Sequence, residues 1–587
     1  MKEFFKMMFA SMVGVILTII LCSFIMLGIF AAIIASATKD EVSVESNSIL
    51  RITLDKPILD RSPKNPFFID LGPMNKTIGL NDILKDIQRA KEDPNIKGIL
   101  LDVTFIPAGM ATIREIRAEL IDFKKSGKFI IAYSEVYTQR AYYLATAADQ
   151  IYLQPEGIVL FKGINAELTF LKGTLDKLDI KMQVIRHGKY KSATEPLFRD
   201  NMSPENHLQI QALIDNSWGT VLQGISETRK IDVSQLNRLA DSLKAQSPEM
   251  ALKYKLVDLL KYKDEMEKDL KNRLNLDPKK SLTYISLENY TKTEDLRKKQ
   301  SGEEGKIAVI FCIGNIGSGE GDDQTIGSER ISKAIRKARE NEHVKAIVLR
   351  VNSPGGDVIS SDVIWREVDL AAKTKPVVAS FGDVAASGGY YIACPATKIL
   401  ADPTTITGSI GVFGLIPNMK GFFNNKLGIT FDGAKTNANS DYPPFTRPLS
   451  SYQTEILQRE IEHIYSGFIS KVAIGRHMTK AEVDSVGQGR VWSGTDAKRI
   501  GLIDDFGGLD QAVKLASELA HIPNYRMMLL PEQKDPFQVL MDAIMDRNAS
   551  SVIEKELGEN YQYYKYIKEI QEMKGIQARM EFNLQIN

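Results

Sequence analysis

One serine in this chain lies in a position suited to a nucleophile. Ser387 occurs in the sequence AASGGYY, between a predicted strand and a predicted helix, and its neighbours are alanine and glycine. Small neighbours let a substrate carbonyl approach closely, and a helix N-terminus offers N–H groups and a positive dipole end to a developing oxyanion. A helix N-cap is the other interpretation of such a serine, but an N-cap does not require the two glycines that follow.

A second glycine-rich segment offers hydrogen-bond donors for that oxyanion. Gly355 and Gly356 follow a predicted buried strand directly, in the sequence NSPGGD. Paired glycines adopt positive φ readily and leave backbone N–H groups uncovered for a ligand oxygen. Taken alone, the segment is better explained as an ordinary strand-to-helix turn. Together with the N–H of Gly388, either glycine would complete a two-donor oxyanion hole.

A serine hydroxyl needs a base, and the candidates lie near residue 190. The six histidines include no obvious partner, although His187 lies in the right region. Lys189 and Lys191 alternate on a predicted extended segment, so one of them can face inward. A buried lysine with a lowered pKa can act as a general base, and serine–lysine pairs are a known variant of the catalytic triad. Most lysines, by contrast, are solvated surface residues.

The chain contains a long internal repeat. Tyr142–Tyr143 recur as Tyr390–Tyr391 at an offset of 248 residues (390 − 142), and the stretches 96–103 and 344–351 share that offset. We therefore predict two large homologous domains rather than the larger number that length alone suggests. The predicted parts are an N-terminal stub with an anchor, a first repeat, a linker, a second repeat and a helical tail, over residues 1–45, 46–290, 291–306, 307–530 and 531–587.

The candidate nucleophile and the candidate base are distributed between the two copies. Under the main offset Gln139 lies opposite Ser387, so the first copy has no serine there. A local alignment of glycines at an offset of 245 residues (433 − 188) places Thr436 opposite Lys191, so the second copy has no lysine there. This complementary pattern predicts one site assembled from both halves.

Strands and helices alternate in both copies, which predicts an α/β fold with parallel sheets covered by helices. The predicted strands cover residues 49–54, 98–103, 129–134, 307–313, 346–351 and 377–381. The predicted helices cover residues 81–91, 113–125, 139–147, 329–341, 358–373 and 387–393.

The N-terminus predicts a single membrane span. Residues 7–38 contain no charged side chain and exceed the roughly 20 apolar residues that a bilayer core requires. Lys2 and Lys6 precede the span, which places the N-terminus in the cytoplasm and the remainder outside. The sequence Ala35–Ala37 resembles a signal-peptide cleavage site, so removal of this segment stays an alternative, although the apolar run is longer than a cleaved signal needs.

Composition excludes several classes of protein. The net charge is +1, so the chain lacks the basic character expected of a nucleic-acid-binding protein. Three scattered cysteines and the absence of histidine pairs at metal-ligand spacing argue against a disulfide framework or a zinc site. We therefore expect neither a metal nor a cofactor.

Four motifs together resemble the signal peptide peptidase A family in its long, tandem, membrane-anchored form, also called protease IV. They are RVNSPGGD (350–357), ASGGYY (386–391), TGSIGV (407–412) and GKYKSATEP (188–196). The sequence SPGG alone also occurs in Clp proteases and, loosely, in the crotonase superfamily. The resemblance covers essentially the whole chain after the anchor, with the lysine half preceding the serine half.

The resemblance implies a Clp/crotonase-like domain in tandem, with Ser387 as nucleophile, Lys191 as general base and Ser409 holding the lysine amine. It also implies a bacterial inner-membrane protein with its catalytic domains on the periplasmic side, assembled as a bowl-shaped homotetramer. Its expected substrates are released signal peptides and other short or unfolded peptides, without a cofactor.

Two other functions remain open from the sequence. A crotonase-like acyl-CoA enzyme would also use paired backbone N–H donors, but it would need neither an anchor nor a nucleophilic serine. A non-catalytic membrane scaffold would keep the fold alone, which the presence of Ser387, Lys191 and Ser409 argues against.

Overall fold

The structure begins with one long apolar helix. The computed structural model describes residues 2–37, 43–62, 77–293, 305–533, 576–580 and 585–586. Helix α1 (Lys2–Ala37) has 36 residues. Its stretch Lys2–Met26 is long and apolar enough to cross a membrane, and the apolar side chains of this stretch are not buried against the rest of the protein. The predicted end of the apolar run at Thr38 lies outside the described residues.

The first repeat folds into a parallel sheet with helices around it. Its strands are β1 (Ser48–Ile52), β2 (Ile58–Leu59), β3 (Ile78–Gly79), β4 (Ile96–Asp102), β5 (Phe129–Tyr137), β6 (Gln150–Val159), β7 (Ala166–Glu167), β8 (Lys181–Arg186), β9 (Leu259–Leu260) and β10 (Tyr284–Ser286). Its helices are α2 (Leu80–Glu92), α3 (Met110–Phe123), α4 (Gln139–Ala145), α5 (Lys172–Lys177), α6 (Glu195–Phe198), α7 (Pro204–Arg229), α8 (Val233–Asp241), α9 (Pro248–Lys253), α10 (Lys263–Arg273) and α11 (Leu287–Lys292). The main sheet has the order β10-β1-β4-β5-β6-β9, and all its neighbours are parallel.

The second repeat has the same plan. Its strands are β11 (Gly305–Ile313), β12 (Asn315–Gly317), β13 (Thr325–Gly327), β14 (Val344–Ser353), β15 (Gly355–Asp357), β16 (Val377–Ala386), β17 (Lys398–Ala401), β18 (Ile406–Gly408), β19 (Phe413–Asn418), β20 (Val491–Ser493), β21 (Asp505–Phe506) and β22 (Tyr525–Leu530). Its helices are α12 (Ser328–Glu340), α13 (Val358–Ala372), α14 (Gly388–Ala393), α15 (Ser451–Arg476), α16 (Lys480–Val486), α17 (Gly494–Arg499) and α18 (Leu509–Leu519). The main sheet runs β20-β18-β16-β14-β11-β22; β17 also pairs with β16, and β21 pairs with β17.

Apolar spacing explains why these segments take these forms. In α2, Ile83, Ile87 and Ala90 recur at helical intervals and are buried. In β4, the consecutive residues 99–101 are all buried, as expected for a central parallel strand that is covered on both faces. The predicted alternation of strands and helices is therefore confirmed, with boundaries that shift by a few residues.

The two repeats keep matching hydrogen bonds. In the first, the Asp258 carboxylate accepts from the backbone N–H of Ile151 at 2.8 Å. In the second, the Asp504 carboxylate accepts from the backbone N–H of Ile399, also at 2.8 Å. The first contact ties β6, which follows α4, to the start of β9, and the second ties β17, which follows α14, to the start of β21. The tandem duplication predicted from the sequence is thus visible in three dimensions.

A third sheet joins the two repeats. Two further strands lie near the C-terminus, β23 (Ile576–Arg579) and β24 (Gln585–Ile586). The joining sheet has the order β13-β12-β15-β23-β19-β8. Its last pair is antiparallel and crosses the repeats, with β8 from the first running along β19 from the second. This crossing carries the segment after β8 into the second repeat.

A buried ion cluster also connects the halves. Arg350, on β14, is fully buried and binds the carboxylates of Asp60 and Glu115 from the first repeat. Burial lowers the pKa of Arg350, but the two carboxylates outweigh it and raise that pKa above its ordinary value. Nearby, Thr112 of the first repeat donates from its N–H and hydroxyl to Asp383 of the second.

Two predicted segments fall largely outside the described residues. These are most of the linker predicted for 291–306 and most of the helical tail predicted for 531–587. The described residues of that tail region include the strands β23 and β24.

Candidate active site

The predicted nucleophile and one predicted base meet in the interior. Lys191 Nζ lies 2.8 Å from Ser387 Oγ, although 196 residues separate them along the chain. Ser387 is 0% exposed and Lys191 is 1% exposed. The structure therefore brings together one residue from each repeat, as the complementary pattern in the sequence predicted.

Ser387 is held at a strained turn between β16 and α14. Its φ is 54° and its ψ is −114°, a combination that residues other than glycine rarely adopt. Its N–H donates to Gly408 O at 2.8 Å, and Tyr391 N donates to Ser387 O at 2.8 Å. Strain of this kind persists only when the surroundings enforce it, and it concentrates at functional sites. Gly389 is required beside it, because a Cβ there would lie 2.6 Å from Ser353 O.

Lys191 reaches the serine because of the strand that precedes it. After β8, the chain turns at Gly188, where φ is 86°. Tyr190 N then donates to Gln488 O at 3.1 Å, and Arg186 donates to Lys191 O at 2.7 Å. These bonds fix the backbone of Lys191 against the second repeat and direct its side chain inward.

The third predicted residue contacts the same amine. Ser409 Oγ lies 3.0 Å from Lys191 Nζ, and Ser409 O lies 3.2 Å from it. Ser409 also has a left-handed backbone, with φ 50°, and its N–H donates to Arg490 O at 2.7 Å. Two hydroxyls and a carbonyl therefore surround the amine.

The other two candidate bases point elsewhere. Lys189 is exposed. His187 Nδ1 lies 2.7 Å from Glu462, and the imidazole stacks on Tyr465 with 3.7 Å between ring centroids. The structure thus separates Lys191 from Lys189 and His187, a choice that the sequence alone left open.

The predicted oxyanion donors lie next to the serine. Gly388 begins α14, and a Cβ on Gly355 would lie 2.6 Å from Gly388 N. Gly355 N itself donates to Ser353 Oγ at 3.1 Å. Gly356 pairs with Ala578 on β23. The two glycine segments therefore lie side by side, and the backbone of β23 runs along them.

Two glycines that sequence reasoning missed shape the lysine channel. A Cβ on Gly489 would lie 2.6 Å from both the N and the Cβ of Lys191, and a Cβ on Gly411 would lie 3.4 Å from its Cδ. Gly411 O is also 3.4 Å from Ser387 Oγ. The two glycines of the sequence GQG at 487–489 indicate a turn, but nothing local connects that turn with residue 191.

No alternative chemical centre competes within the described part of the chain. The described residues contain no group of three or more His, Cys, Asp or Glu side chains that could hold a metal ion. Burial raises the pKa of the Cys394 thiol to about 12, which disfavours a reactive thiolate. The serine–lysine pair is therefore the site that the geometry favours.

Comparison with known proteins agrees with this chemistry. The model of Peptidase family S49 matches residues 122–277 and 369–523, one segment in each repeat. The chloroplastic serine protease SPPA of Arabidopsis thaliana is 34% identical over 92% of this chain and 78% of its own. Protease 4 of Haemophilus influenzae is 34% identical over 86% and 84%, and Protease 4 of Salmonella typhi is 38% identical over 79% and 76%.

Among solved structures, a ClpP1 variant from Listeria monocytogenes aligns with 35% of this chain and 94% of its own, at 15% identity and a TM-score of 0.24. The family matches confirm the predicted serine peptidase and its tandem organisation, and they disfavour the acyl-CoA and scaffold alternatives. This chain belongs to Peptidase family S49 and is a serine peptidase.

Proposed function

We propose that the protein is a membrane-anchored endopeptidase with a Ser387–Lys191 dyad, which degrades released signal peptides and other short or unfolded peptides. The observation that carries the proposal is the 2.8 Å contact between Lys191 Nζ and Ser387 Oγ in a buried site. A hydroxyl in contact with a buried amine has the arrangement that an activated nucleophile requires.

In the proposed reaction, neutral Lys191 removes the proton of Ser387 as Oγ attacks the scissile carbonyl carbon. The N–H groups of Gly388 and of Gly356 or Gly355 stabilise the oxyanion. When the C–N bond breaks, Lys191 returns the proton to the leaving amine. Water then attacks the acyl-enzyme, again with Lys191 as base, and frees Ser387 with the new carboxyl end.

The surroundings of Lys191 support its role as a base. The amine must be neutral to accept a proton, and burial disfavours the charged ammonium form. Ser409 positions the amine through its hydroxyl and carbonyl oxygens, at 3.0 and 3.2 Å. Neutral hydrogen-bonding partners of this kind orient an amine without the strong preference for its charge that a carboxylate would impose.

We further propose that α1 anchors the protein in the bacterial inner membrane. Its length and apolar composition support a span, and the basic residues Lys2 and Lys6 support a cytoplasmic N-terminus. Both repeats then lie on the periplasmic side, where released signal peptides are accessible. The division into 1–45, 46–290, 291–306, 307–530 and 531–587 remains our proposal for the domain boundaries.

The repeat itself supports the expected homo-oligomer, which we propose to be a tetramer. Strand β19 pairs with β23 on one edge and with β8 of the other repeat on the second edge. Its counterpart β7 pairs with β24 on one edge, and no second partner strand occurs among the described residues. The counterpart of β8, at 426–431, carries no strand and exposes Leu427, Ile429 and Phe431. A neighbouring copy can supply both missing partners.

The test of the dyad uses the full-length enzyme in detergent and a quenched apolar peptide. Replacement of Ser387 or Lys191 by alanine is expected to lower kcat by at least about 1000-fold, because such residues act as a unit. For the same reason the double variant is expected to be no worse than either single one. Lys189→Ala is the matched control, since Lys189 is exposed, and it is expected to keep near-normal turnover. Near-normal turnover of Lys191→Ala would refute the assignment.

A further inference from the structure

The side chain of Gln209, on α7, is buried between the lysine-bearing segment and the second repeat. Gln209 is 1% exposed. Its Nε2 donates to Ser192 Oγ at 2.6 Å and lies 3.3 Å from Tyr190 O. These two residues flank Lys191 in the sequence. The amide therefore holds the chain on both sides of the candidate base.

The oxygen of the same amide reaches the second repeat. The backbone N–H of Val491 donates to Gln209 Oε1 at 3.2 Å, across 282 residues of sequence. Val491 begins β20 and pairs with Gly408 on β18. The residue that follows Gly408 is Ser409. One side chain thus joins the neighbours of Lys191 to the neighbours of Ser409.

An amide in this place restrains the separation of Lys191 from Ser409. A buried amide that loses a hydrogen bond is costly, so both of its ends favour the observed arrangement. Helix α7 fixes the amide in turn, because Asn206 Oδ1, one turn earlier, accepts from Gln209 Nε2 at 3.0 Å. The 3.0 Å contact of Lys191 Nζ with Ser409 Oγ joins the same two segments that Gln209 connects.

The other repeat carries a different residue at this position. Helices α7 and α15 each have 26 residues and follow a serine cap, at Ser203 and Ser450. The offset between the caps is 247 residues (450 − 203), so Ile456 corresponds to Gln209 (456 − 247). The repeat that lacks the lysine therefore also lacks the amide.

We propose that Gln209 is a positioning residue for peptide hydrolysis, which holds Lys191 at the distance from Ser387 that proton transfer needs. It acts through the backbone on either side of Lys191 and through β20. The inference rests on the proposed Ser387–Lys191 dyad, and it adds a residue of α7 that couples the two repeats at the site.

The first measurement is the kinetics of full-length Gln209→Met in detergent on the quenched apolar peptide. Methionine keeps the length of the side chain but loses both hydrogen-bonding ends. We expect kcat to fall about 10- to 100-fold, because a displacement of about 1 Å can cost about 100-fold in rate. KM is expected to change by less than about twofold, because the interaction lost is one that serves the chemical step. Unaltered kcat would overturn the proposal.

Gln211→Met is the matched control. Gln211 lies on the exposed side of the same helix and donates to Asp215 at 2.8 Å. It is expected to keep the kcat of the unmodified enzyme. A loss in Gln211→Met equal to that in Gln209→Met would assign the effect to α7 as a whole and contradict the proposal.

A double-variant cycle separates positioning from a general loss of structure. Gln209 and Ser409 place the same amine, so the losses in Gln209→Met and Ser409→Ala are expected not to multiply. The double variant is expected to be within about twofold of the slower single variant. Fully multiplicative losses would refute the shared role.

The pH profile of kcat provides a readout that a purely structural role would not change. Gln209→Met is expected to move the midpoint to lower pH, as Ser409→Ala does, because the ammonium form of Lys191 loses an acceptor. An unmoved midpoint beside a lowered kcat would overturn the proposal.

Gln209→Glu keeps the size and the acceptor towards Val491, and it serves as the second variant where circular dichroism shows that methionine prevents folding. A carboxylate beside the lysine-bearing segment favours the ammonium form, so the midpoint is expected to move to higher pH. An unmoved or lowered midpoint in Gln209→Glu would contradict the proposal. Lys191→Ala tests the dyad separately, because an inactive Lys191→Ala beside a normal Gln209→Met refutes only the positioning role.

Discussion

The same strand-to-helix turn occurs twice in this molecule, at Gln139 and at Ser387. In the first repeat, Thr138 precedes the helix with ordinary extended angles, φ −64° and ψ 160°. Gln139 Oε1 there accepts from the N–H groups of Lys162 and Gly163, at 3.1 and 3.0 Å. In the second repeat, Ser387 adopts φ 54° and its hydroxyl meets an amine. The strained backbone accompanies the hydroxyl that contacts Lys191, whereas the relaxed turn accompanies a side chain that holds a neighbouring loop.

The scaffold around the two turns has changed much less. Tyr142 donates its hydroxyl proton to Leu256 O at 2.8 Å, and Tyr390 donates to Leu502 O at 2.7 Å. Both tyrosines are buried, and burial raises the pKa of each phenol. The two copies therefore share the packing that holds α4 and α14 in place. They differ in the side chain at the start of that helix, which is Gln139 in the first repeat and Ser387 in the second.

The largest expected effect tests whether one chain contains a complete site. Ser387→Ala and Lys191→Ala chains, co-expressed and co-purified as mixed oligomers, are expected to remain inactive, because Lys191 Nζ contacts Ser387 Oγ within one chain. Peptide hydrolysis by the mixture, compared with each variant alone, is the measurement. Recovered turnover would mean that neighbouring chains exchange the lysine. Adding Gln139→Ser to Ser387→Ala is likewise expected to restore nothing, since Thr436 occupies the position that corresponds to Lys191 under the repeat alignment.

The second prediction compares equivalent strand positions. Arg350 and Asp102 are related by the repeat offset, yet Arg350 is fully buried between two carboxylates, whereas Asp102 pairs with Arg51, which is 41% exposed. Arg350→Gln is expected to cost about 3–5 kcal/mol of unfolding free energy, because it leaves buried carboxylates unpaired. Asp102→Asn is expected to cost about 1 kcal/mol or less. Urea unfolding of both variants measures this difference, and similar losses would contradict the comparison.

The third prediction concerns the alkaline rise in activity. A neutral lysine base gives a rate that increases with pH through its apparent pKa and then stays high. Ser409→Ala removes an acceptor that stabilises the ammonium form, so the midpoint is expected to move to lower pH while the plateau falls by about tenfold. A kcat profile against pH for both enzymes measures the shift. A midpoint that moves upward would contradict this role, and a profile that responds to replacement of His187 would identify a different base.

The smallest expected effect on turnover concerns residues 426–431, the segment of the second repeat that corresponds to β8. Phe431 is 52% exposed in that segment. Phe431→Asp is expected to weaken oligomer formation measured by light scattering, with at most a few-fold change in kcat. Tyr452→Asp is the control, because Tyr452 is similarly exposed outside the segment. An unaltered oligomer in Phe431→Asp would leave the second edge of β7 without the proposed partner.

Much of the fold follows from local signals in the sequence. The strand at 96–102 and the helix at 80–92 are marked by apolar spacing, and the repeat doubles each of these signals. The choice between Lys189 and Lys191 is not local, because it depends on how residues after β8 lie against Gln488 and Gly489 of the other repeat. No periodicity in residues 181–191 carries that information.

The pairing of β23 with β15 could not be predicted from the sequence for a related reason. The strand at 576–579 has four residues and pairs with Gly355–Asp357, more than 200 positions earlier. A short strand of mixed composition gains its stability from the edges that receive it rather than from its own propensity. The sequence predicts that Gly355 and Gly356 leave backbone groups available to a partner, but it does not indicate that β23 pairs with them.

The crossing of β8 into the second repeat has a consequence for the protein's synthesis. A nascent chain completes the lysine-bearing repeat before residue 387 exists, and the serine-bearing repeat has no amine until β8 lies along β19. A chain that ends before residue 387, or whose repeats have not yet joined, therefore lacks the contact between Lys191 and Ser387. Pairing of β8 with β19 is therefore the folding step that brings Lys191 to Ser387.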